Sequence, residues 1–221
     1  MFGELRIVDD VRAAFSETVL EAYEQRQQDD FSIALSGGPT ARRCYERLAA
    51  DAVDRIDWWN VHVFWSDERC VPSDSEDSNE RLVREALLER VGGVYAVHPM
   101  RCSDGPDRYQ LLLGEIGHLD IIHLGVGPDG HTASLFPGAP ALDADPGRWV
   151  TTSVDLTGRN PFERMTLTLP GIARGRLVVF TVAGKEKQPA MQQIADGADL
   201  PAARVRAERV LWLVDHDAAP R

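Results

Sequence analysis

Five short runs of apolar, β-branched and aromatic residues constrain this chain more than any other feature. They are Phe31–Leu35, Val61–Trp65, Leu119–Leu124, 176–182 and 210–214. Runs this uniformly apolar bury both of their faces, as strands of a covered sheet do. Segments 11–28, 40–50, 78–91 and 185–194 lie between them and carry apolar residues at helical spacing, with Ser78 a natural N-cap for the third. Strands alternating with helices give an α/β fold with a mostly parallel sheet, whose ligands bind beyond the carboxyl ends of the strands. The stretch from 1 to 31 has room for one strand and one helix. The Pro/Gly-rich stretch 137–147 reads as a surface loop.

Composition narrows what such a fold can do. With 221 residues, 43% of them hydrophobic, the chain can bury one sizeable core, and residues 1–221 are read as one domain. No run of about 18 apolar residues occurs, and Glu4, Arg6, Asp9 and Asp10 interrupt the N-terminal region, so neither a membrane span nor a signal peptide is expected. Cys44, Cys70 and Cys102 are odd in number, far apart and without a C-x-x-C pair. That argues against a disulfide framework or zinc cluster and fits a reducing cytoplasm. A formal charge of -11 with no basic run disfavours nucleic acid as a partner. An anionic metabolite would need a few converging cations and backbone amides.

Four segments, each following a core strand, carry those groups. Ser36-Gly37-Gly38-Pro39-Thr40 opens a helix, so it is either a phosphate cradle or a turn that merely needs glycines. Ser66-Asp67-Glu68-Arg69 places two carboxylates and a guanidinium at a ligand edge, where they could hold a sugar hydroxyl and an anion or simply be solvated. Asp74, Glu76 and Asp77 are read as a solvated loop. The third segment, residues 125–138, contains a formal G-x-G-x-x-G at Gly125, Gly127 and Gly130. It is not a dinucleotide fingerprint, because Pro137 leaves no room for the long helix that carries a pyrophosphate. His131, two residues after Asp129 in this glycine-rich loop, is the candidate general base, with an ordinary surface histidine as the alternative. His62, His98, His118, His123 and His216 are read as structural. Ala183-Gly184-Lys185-Glu186-Lys187 opens another helix, where a lysine could reach a phosphate; Lys185 is read as solvated.

Taken together, the S-G-G loop, D-E-R-x-V-P with a following S-N, L-G-x-G-P-D-G-H-T-A-S-L-F-P-G and T-x-A-G-x-x-K resemble the 6-phosphogluconolactonase family over residues 31–187. The resemblance implies a three-layer α/β/α sandwich, a modified Rossmann-like fold, and hydrolysis of 6-phosphogluconolactone in the oxidative pentose phosphate pathway. It also implies that His131 activates water and Asp129 helps orient it. Ser36, Gly37, Gly38, Thr40, Asp67, Arg69, Asn79 and Lys187 would then bind the phosphorylated sugar. Family members often have Ser where this chain has Pro39 and Thr-Pro where it has Thr40-Ala41, so one phosphate donor is missing and binding leans on Arg69 and Lys187. Ser36 and Ser134 lack a G-x-S-x-G elbow, which favours direct attack by water over an acyl-enzyme.

A glucosamine-6-phosphate deaminase resembles the chain in the S-G-G loop, the D-E pair and the G-x-D-G-H segment, but carries a carboxylate five residues after its histidine, where this chain has Phe136. It also has D-E-Y in place of Asp67-Glu68-Arg69. A sugar-phosphate sensor of the transcription-regulator kind would need a helix-turn-helix, for which the acidic segment before Phe31 has no room. The oligomeric expectation is a monomer or small homo-oligomer. No cofactor is expected, and no His/Cys/Asp/Glu grouping has metal-ligand spacing. Turnover should therefore survive EDTA; its complete loss, restored by zinc or magnesium, would refute a metal-independent reaction.

Overall fold

The computed structural model describes residues 1–221. Seven strands form a parallel sheet: β1 (Glu4–Ile7), β2 (Phe31–Leu35), β3 (Val61–Trp65), β5 (Ala96–Val97), β6 (Leu119–Leu124), β9 (Gly175–Val182) and β10 (Arg209–Val214), in the order β1-β10-β9-β6-β2-β3-β5. The remaining three, β4 (Asp67–Arg69), β7 (Val150–Ser153) and β8 (Arg164–Leu167), make a small antiparallel sheet ordered β4-β8-β7. Helices are α1 (Val11–Glu24), α2 (Pro39–Asp51), α3 (Asn79–Val83), α4 (Gly105–Ile116), α5 (Leu169–Ile172) and α6 (Gln188–Ala195).

The strand order dictates the layers. From β1 to β2 and from β2 to β3 the chain moves one way across the sheet; from β5 to β6 and from β9 to β10 it moves the other way. Right-handed crossovers then put α1 and α2 on one face and α4 and α6 on the opposite one. The result is the expected three-layer α/β arrangement, with all five residues of β2 buried at its centre. Phe180 of β9 and Trp212 of β10 stack with ring centroids 3.8 Å apart, and Phe15, Phe31, Phe64 and Trp65 are fully buried.

Departures from the sequence reading have local causes. The first helix ends at Glu24, short of 28, because Gln25 to Asp30 offer no apolar residue to hold the helix to the sheet. Ser78 does cap its helix, accepting from the Arg81 N–H at 3.2 Å, but α3 passes at Arg84 into one π-helical turn, Arg84–Leu88. Segment 185–194 starts as a 3₁₀ turn, Lys185–Lys187, and becomes α-helical only at Gln188, where Pro189 occupies the first turn without wasting a donor. Within 137–147 lies a 3₁₀ turn, Pro140–Asp143, whose Ala141 and Leu142 are buried together with Ala139, so this stretch packs against the core. The cysteine expectation is overturned: Cys70 and Cys102 form a disulfide with Cα atoms 5.4 Å apart, leaving only Cys44 free and buried. Folding brings the residue after β4 to the turn before α4, a proximity that a separation of 32 residues conceals.

The reversal of direction between β2 and β6 opens a crevice at their carboxyl ends. One wall, the loop after β2, lies hard against the start of α3. A Cβ added to Gly37 would stand 1.8 Å from the Asn79 Oδ1. Asn79 cannot yield, because its amide nitrogen donates to the Asp67 carbonyl at 2.9 Å and its backbone N–H to Glu68 Oε1 at 2.8 Å. Gly37→Ala is therefore expected to cost about 1–3 kcal/mol by overpacking, read as a lower urea midpoint at unchanged m-value; unaltered stability would mean that the two walls are not in contact.

Candidate active site

A cavity of about 640 Å³ fills this crevice. The loop after β2 brings Ser36, Gly37, Gly38 and Thr40 to it, β4 brings Asp67 and Arg69, and α3 brings Asn79. His131 enters from the loop after β6, and Lys187 from the turn after β9. Asp129 stands behind His131 and does not line the cavity.

The histidine is held from behind. Its Nδ1 lies 2.5 Å from Asp129 Oδ1, and the same oxygen accepts the His131 backbone N–H at 3.1 Å. The side-chain hydrogen bond, helped by the charge of the ring, pulls the Asp129 pKa below the usual carboxylate range against the opposing effect of burial. An ionised Asp129 fixes the proton on Nδ1 and leaves Nε2 as the free, basic nitrogen. Gly127 is required for this packing, since a Cβ there would sit 2.1 Å from His131 Nδ1. No helix follows the three glycines of this loop, only a single bridge between Thr132 and Leu135, as expected of a segment that is not a dinucleotide site. Phe136 is buried with its ring centroid 5.0 Å from that of His131.

Of the carboxylates lining the cavity, Asp67 and Asp215 are already engaged, whereas the exposed Glu186 makes no side-chain hydrogen bond. Asp67 accepts from the Ser134 hydroxyl at 2.6 Å and the Asn79 amide at 3.3 Å, and lies 3.8 Å from Arg164. Glu68 points away from the cavity. It caps α3, accepting the backbone N–H groups of Asn79 (2.8 Å) and Glu80 (2.6 Å) and the Ser78 hydroxyl (3.2 Å), while burial pushes its pKa up. The suggestion that both carboxylates of the D-E pair face a ligand is thus corrected: strand alternation turns Glu68 to the other side.

The cations are less fully paired. Arg69 donates through Nη1 to the Asp77 carbonyl at 2.6 Å, and its Nε is buried without a partner. The Lys187 ammonium makes no hydrogen bond within the chain, and burial lowers its pKa despite the neighbouring Glu186 and Asp129 carboxylates. Asn79 Oδ1 is likewise a buried acceptor without a donor. Lys185 is exposed, as read. Sequence reasoning missed Arg164 and Arg43, which also line the cavity. Arg164 is 5% exposed, lies over the Phe136 ring at 5.5 Å and has an unpartnered Nε. Its only signal was a charged residue at the head of a short strand, Arg164–Leu167, that the sequence reading did not recognise. No group of three or more His, Cys, Asp or Glu side chains is placed to hold a metal ion.

An arrangement of one oriented imidazole and several underused cations suits an anionic small molecule. Comparison with known proteins agrees in kind. The model for glucosamine-6-phosphate isomerases/6-phosphogluconolactonase matches residues 5–212. A 6-phosphogluconolactonase of Synechocystis sp. is 38% identical over 219 residues, spanning 90% of this chain and 87% of that one. The crystal structure of 6-phosphogluconolactonase from Thermotoga maritima superposes with a TM-score of 0.82 at 30% identity, covering 96% of this chain and 98% of that one. A monomeric glucosamine-6-phosphate deaminase reaches a TM-score of 0.81 at 18% identity over 97% and 98% of the two chains, a likeness of fold alone. On the match over residues 5–212 and the relatives that share its full fold, this chain belongs to the glucosamine-6-phosphate isomerase/6-phosphogluconolactonase family.

Proposed function

We propose that the chain hydrolyses 6-phospho-D-glucono-1,5-lactone to 6-phospho-D-gluconate, with His131 as the general base. The observation that carries this reading is the His131–Asp129 pair, at 2.5 Å, presenting Nε2 to a cavity ringed by cations. His131 Nε2 takes a proton from water as the oxygen attacks the C1 carbonyl. The carbonyl π electrons move to its oxygen, and a tetrahedral oxyanion forms. Collapse breaks the bond from C1 to the ring oxygen, and the imidazolium returns its proton to that departing alkoxide. Asp129 stabilises the imidazolium between the two transfers. The sugar phosphate sits between the backbone N–H groups of Gly37, Gly38 and Thr40, Arg69 and Lys187, while Asn79 Oδ1 accepts a hydrogen bond from a sugar hydroxyl. Arg164 adds a fixed guanidinium that the sequence did not reveal, and Arg43, which also lines the cavity, offsets the donor that Pro39 lacks. In this reading residues 1–221 act as one unit, a monomer or small homo-oligomer, without a cofactor or a nucleic-acid partner. No helix is long and apolar enough to cross a membrane. A cytoplasmic location is part of the same reading, although the Cys70–Cys102 disulfide removes the cysteine pattern as an argument for it.

The deaminase reading shares the fold, so the decision rests on side chains. Phe136 lies against the imidazole at the position where that enzyme carries its acid. A buried phenyl ring cannot relay a proton, and Arg164 on the same ring would pair with any carboxylate placed there. The protein should release no ammonia from glucosamine 6-phosphate. Ammonia formed at a rate rivalling lactone hydrolysis would reverse the assignment.

Chemistry and anchoring should fail differently on substitution. His131→Asn keeps a polar side chain but cannot accept the proton of water, so kcat should fall by about 10²–10⁴ with KM little changed. Arg69→Ala and Lys187→Ala each remove a charge-assisted bond worth about 1.5–3 kcal/mol, so KM should rise about tenfold or more. Rates are measured on fresh lactone with spontaneous hydrolysis subtracted. A parental kcat in folded His131→Asn would remove His131 from the role of base.

A further inference from the structure

Along the cavity floor runs a chain of buried polar groups that the mechanism does not use: Ser36, His123 and Thr181 line the cavity, and Tyr45 lies behind them. The Ser36 backbone N–H donates to the Tyr45 hydroxyl at 2.7 Å, and that hydroxyl donates to the Ser36 carbonyl at 2.9 Å. His123 Nδ1 lies 2.7 Å from the same hydroxyl, and His123 Nε2 lies 2.8 Å from the Thr181 hydroxyl. Tyr45 and His123 are both fully buried. The four residues come from the end of β2, from α2, from β6 and from β9. The path therefore crosses the sheet from the loop of residues 36–40 to the strand that leads into the turn bearing Lys187.

Hydrogen-bond accounting assigns the protons. The Tyr45 hydroxyl has a single proton, which goes to the Ser36 carbonyl, so His123 Nδ1–H must be the donor to the phenolic oxygen. His123 Nε2 is then left as an acceptor, and Thr181 donates to it. Every atom along the path is satisfied only when His123 is neutral, and burial holds its pKa down at about 3. The ring is also packed from the side, 4.3 Å from Phe15 and 5.4 Å from Tyr45 between centroids, so it cannot turn away.

We infer that His123 is a positioning residue for phosphate binding: through Tyr45 it fixes the backbone of Ser36, and with it the N–H groups of Gly37, Gly38 and Thr40. An ordinary core histidine would satisfy its own nitrogens and stop there. His123 instead holds the hydroxyl of Tyr45, which bonds both backbone polar atoms of the residue that opens the anion loop. Without it the phenol loses its lateral anchor, and the Ser36 peptide, which has no other backbone partner for its N–H, is free to tilt. The base, His131, stands on the separate loop after β6, so the effect falls on the phosphate end of the substrate.

The inference rests on the reading of residues 36–40 as the phosphate site, and the test separates the two. Hydrolysis of 6-phosphogluconolactone and of unphosphorylated glucono-1,5-lactone is measured for the parent, His123→Phe and Tyr45→Phe. The parent should prefer the phosphorylated substrate; if it does not, the phosphate-site reading itself fails. Given that preference, both variants should raise KM for the phosphorylated lactone by about five- to thirtyfold, the effect of loosening one buried hydrogen bond. Their kcat should stay within about threefold, and kcat/KM for the unphosphorylated lactone within about twofold, because neither group touches the reacting atoms. The inhibition constant of 6-phosphogluconate should rise in parallel with KM. His123→Gln, whose amide keeps a donor and an acceptor, should recover part of the loss and serves as the second variant if His123→Phe does not fold. Folded variants that retain the parental preference for phosphate, or that lose kcat equally on both lactones, would overturn the inference.

Discussion

The pairing of β2 with β6 is the joint on which the rest of the molecule depends. It aligns Ile33 with Ile121 and Ala34 with Ile122 in parallel register, and so brings the loops after Leu35 and after Leu124 out of the sheet side by side. These are the strands at which the chain reverses its direction across the sheet. Helices therefore leave to opposite faces there, and nothing covers the ends of the two strands. A slip of the register by one residue would turn His123 away from Tyr45 and present Ile122 in its place. The apolar uniformity of β2 and β6 is thus tied to the single polar residue, His123, that has to face α2.

Most of the sheet was legible because its strands bury both faces and leave a continuous apolar signature. The strands that went unread are of another kind. β5 is two residues long and β4, β7 and β8 three or four, and Asp67, Glu68, Arg69 and Arg164 carry side chains that no hydrophobic pattern would select. They are held by cross-strand pairing and by polar contacts such as those of Asp67 with Ser134 and Asn79. The α4 helix was missed for a related reason: only Tyr109 and Leu113 of its residues are buried, so its apolar stripe is too narrow to register. Site residues on loops after readable strands were found, whereas Arg164, inside an unreadable strand, was not. The Cys70–Cys102 pair belongs with this second group, since it depends on how the small sheet folds back over α4.

The acidity of the chain raises a last physical question, because a net charge of -11 opposes the approach of a phosphorylated anion. Screening confines that opposition to a range of about 8 Å at physiological ionic strength, so the outcome is decided by charges inside the cavity. There Asp67 is engaged by Ser134 and Asn79 and Asp215 by backbone N–H groups, Asp129 behind the lining by His131, and the exposed Glu186 alone makes no side-chain hydrogen bond. The cations keep donors in reserve, namely Arg69 Nε, Arg164 Nε and the Lys187 ammonium. Half-burial makes this reserve count. A desolvated ammonium or guanidinium is poorly compensated without an anion, and binding a phosphate relieves that cost where an exposed cation would gain little. The depressed pKa of Lys187 is the mark of this unrelieved burial. The acidic surface then acts against weakly held anions in general, while the cavity favours those that can reach several of its buried donors at once.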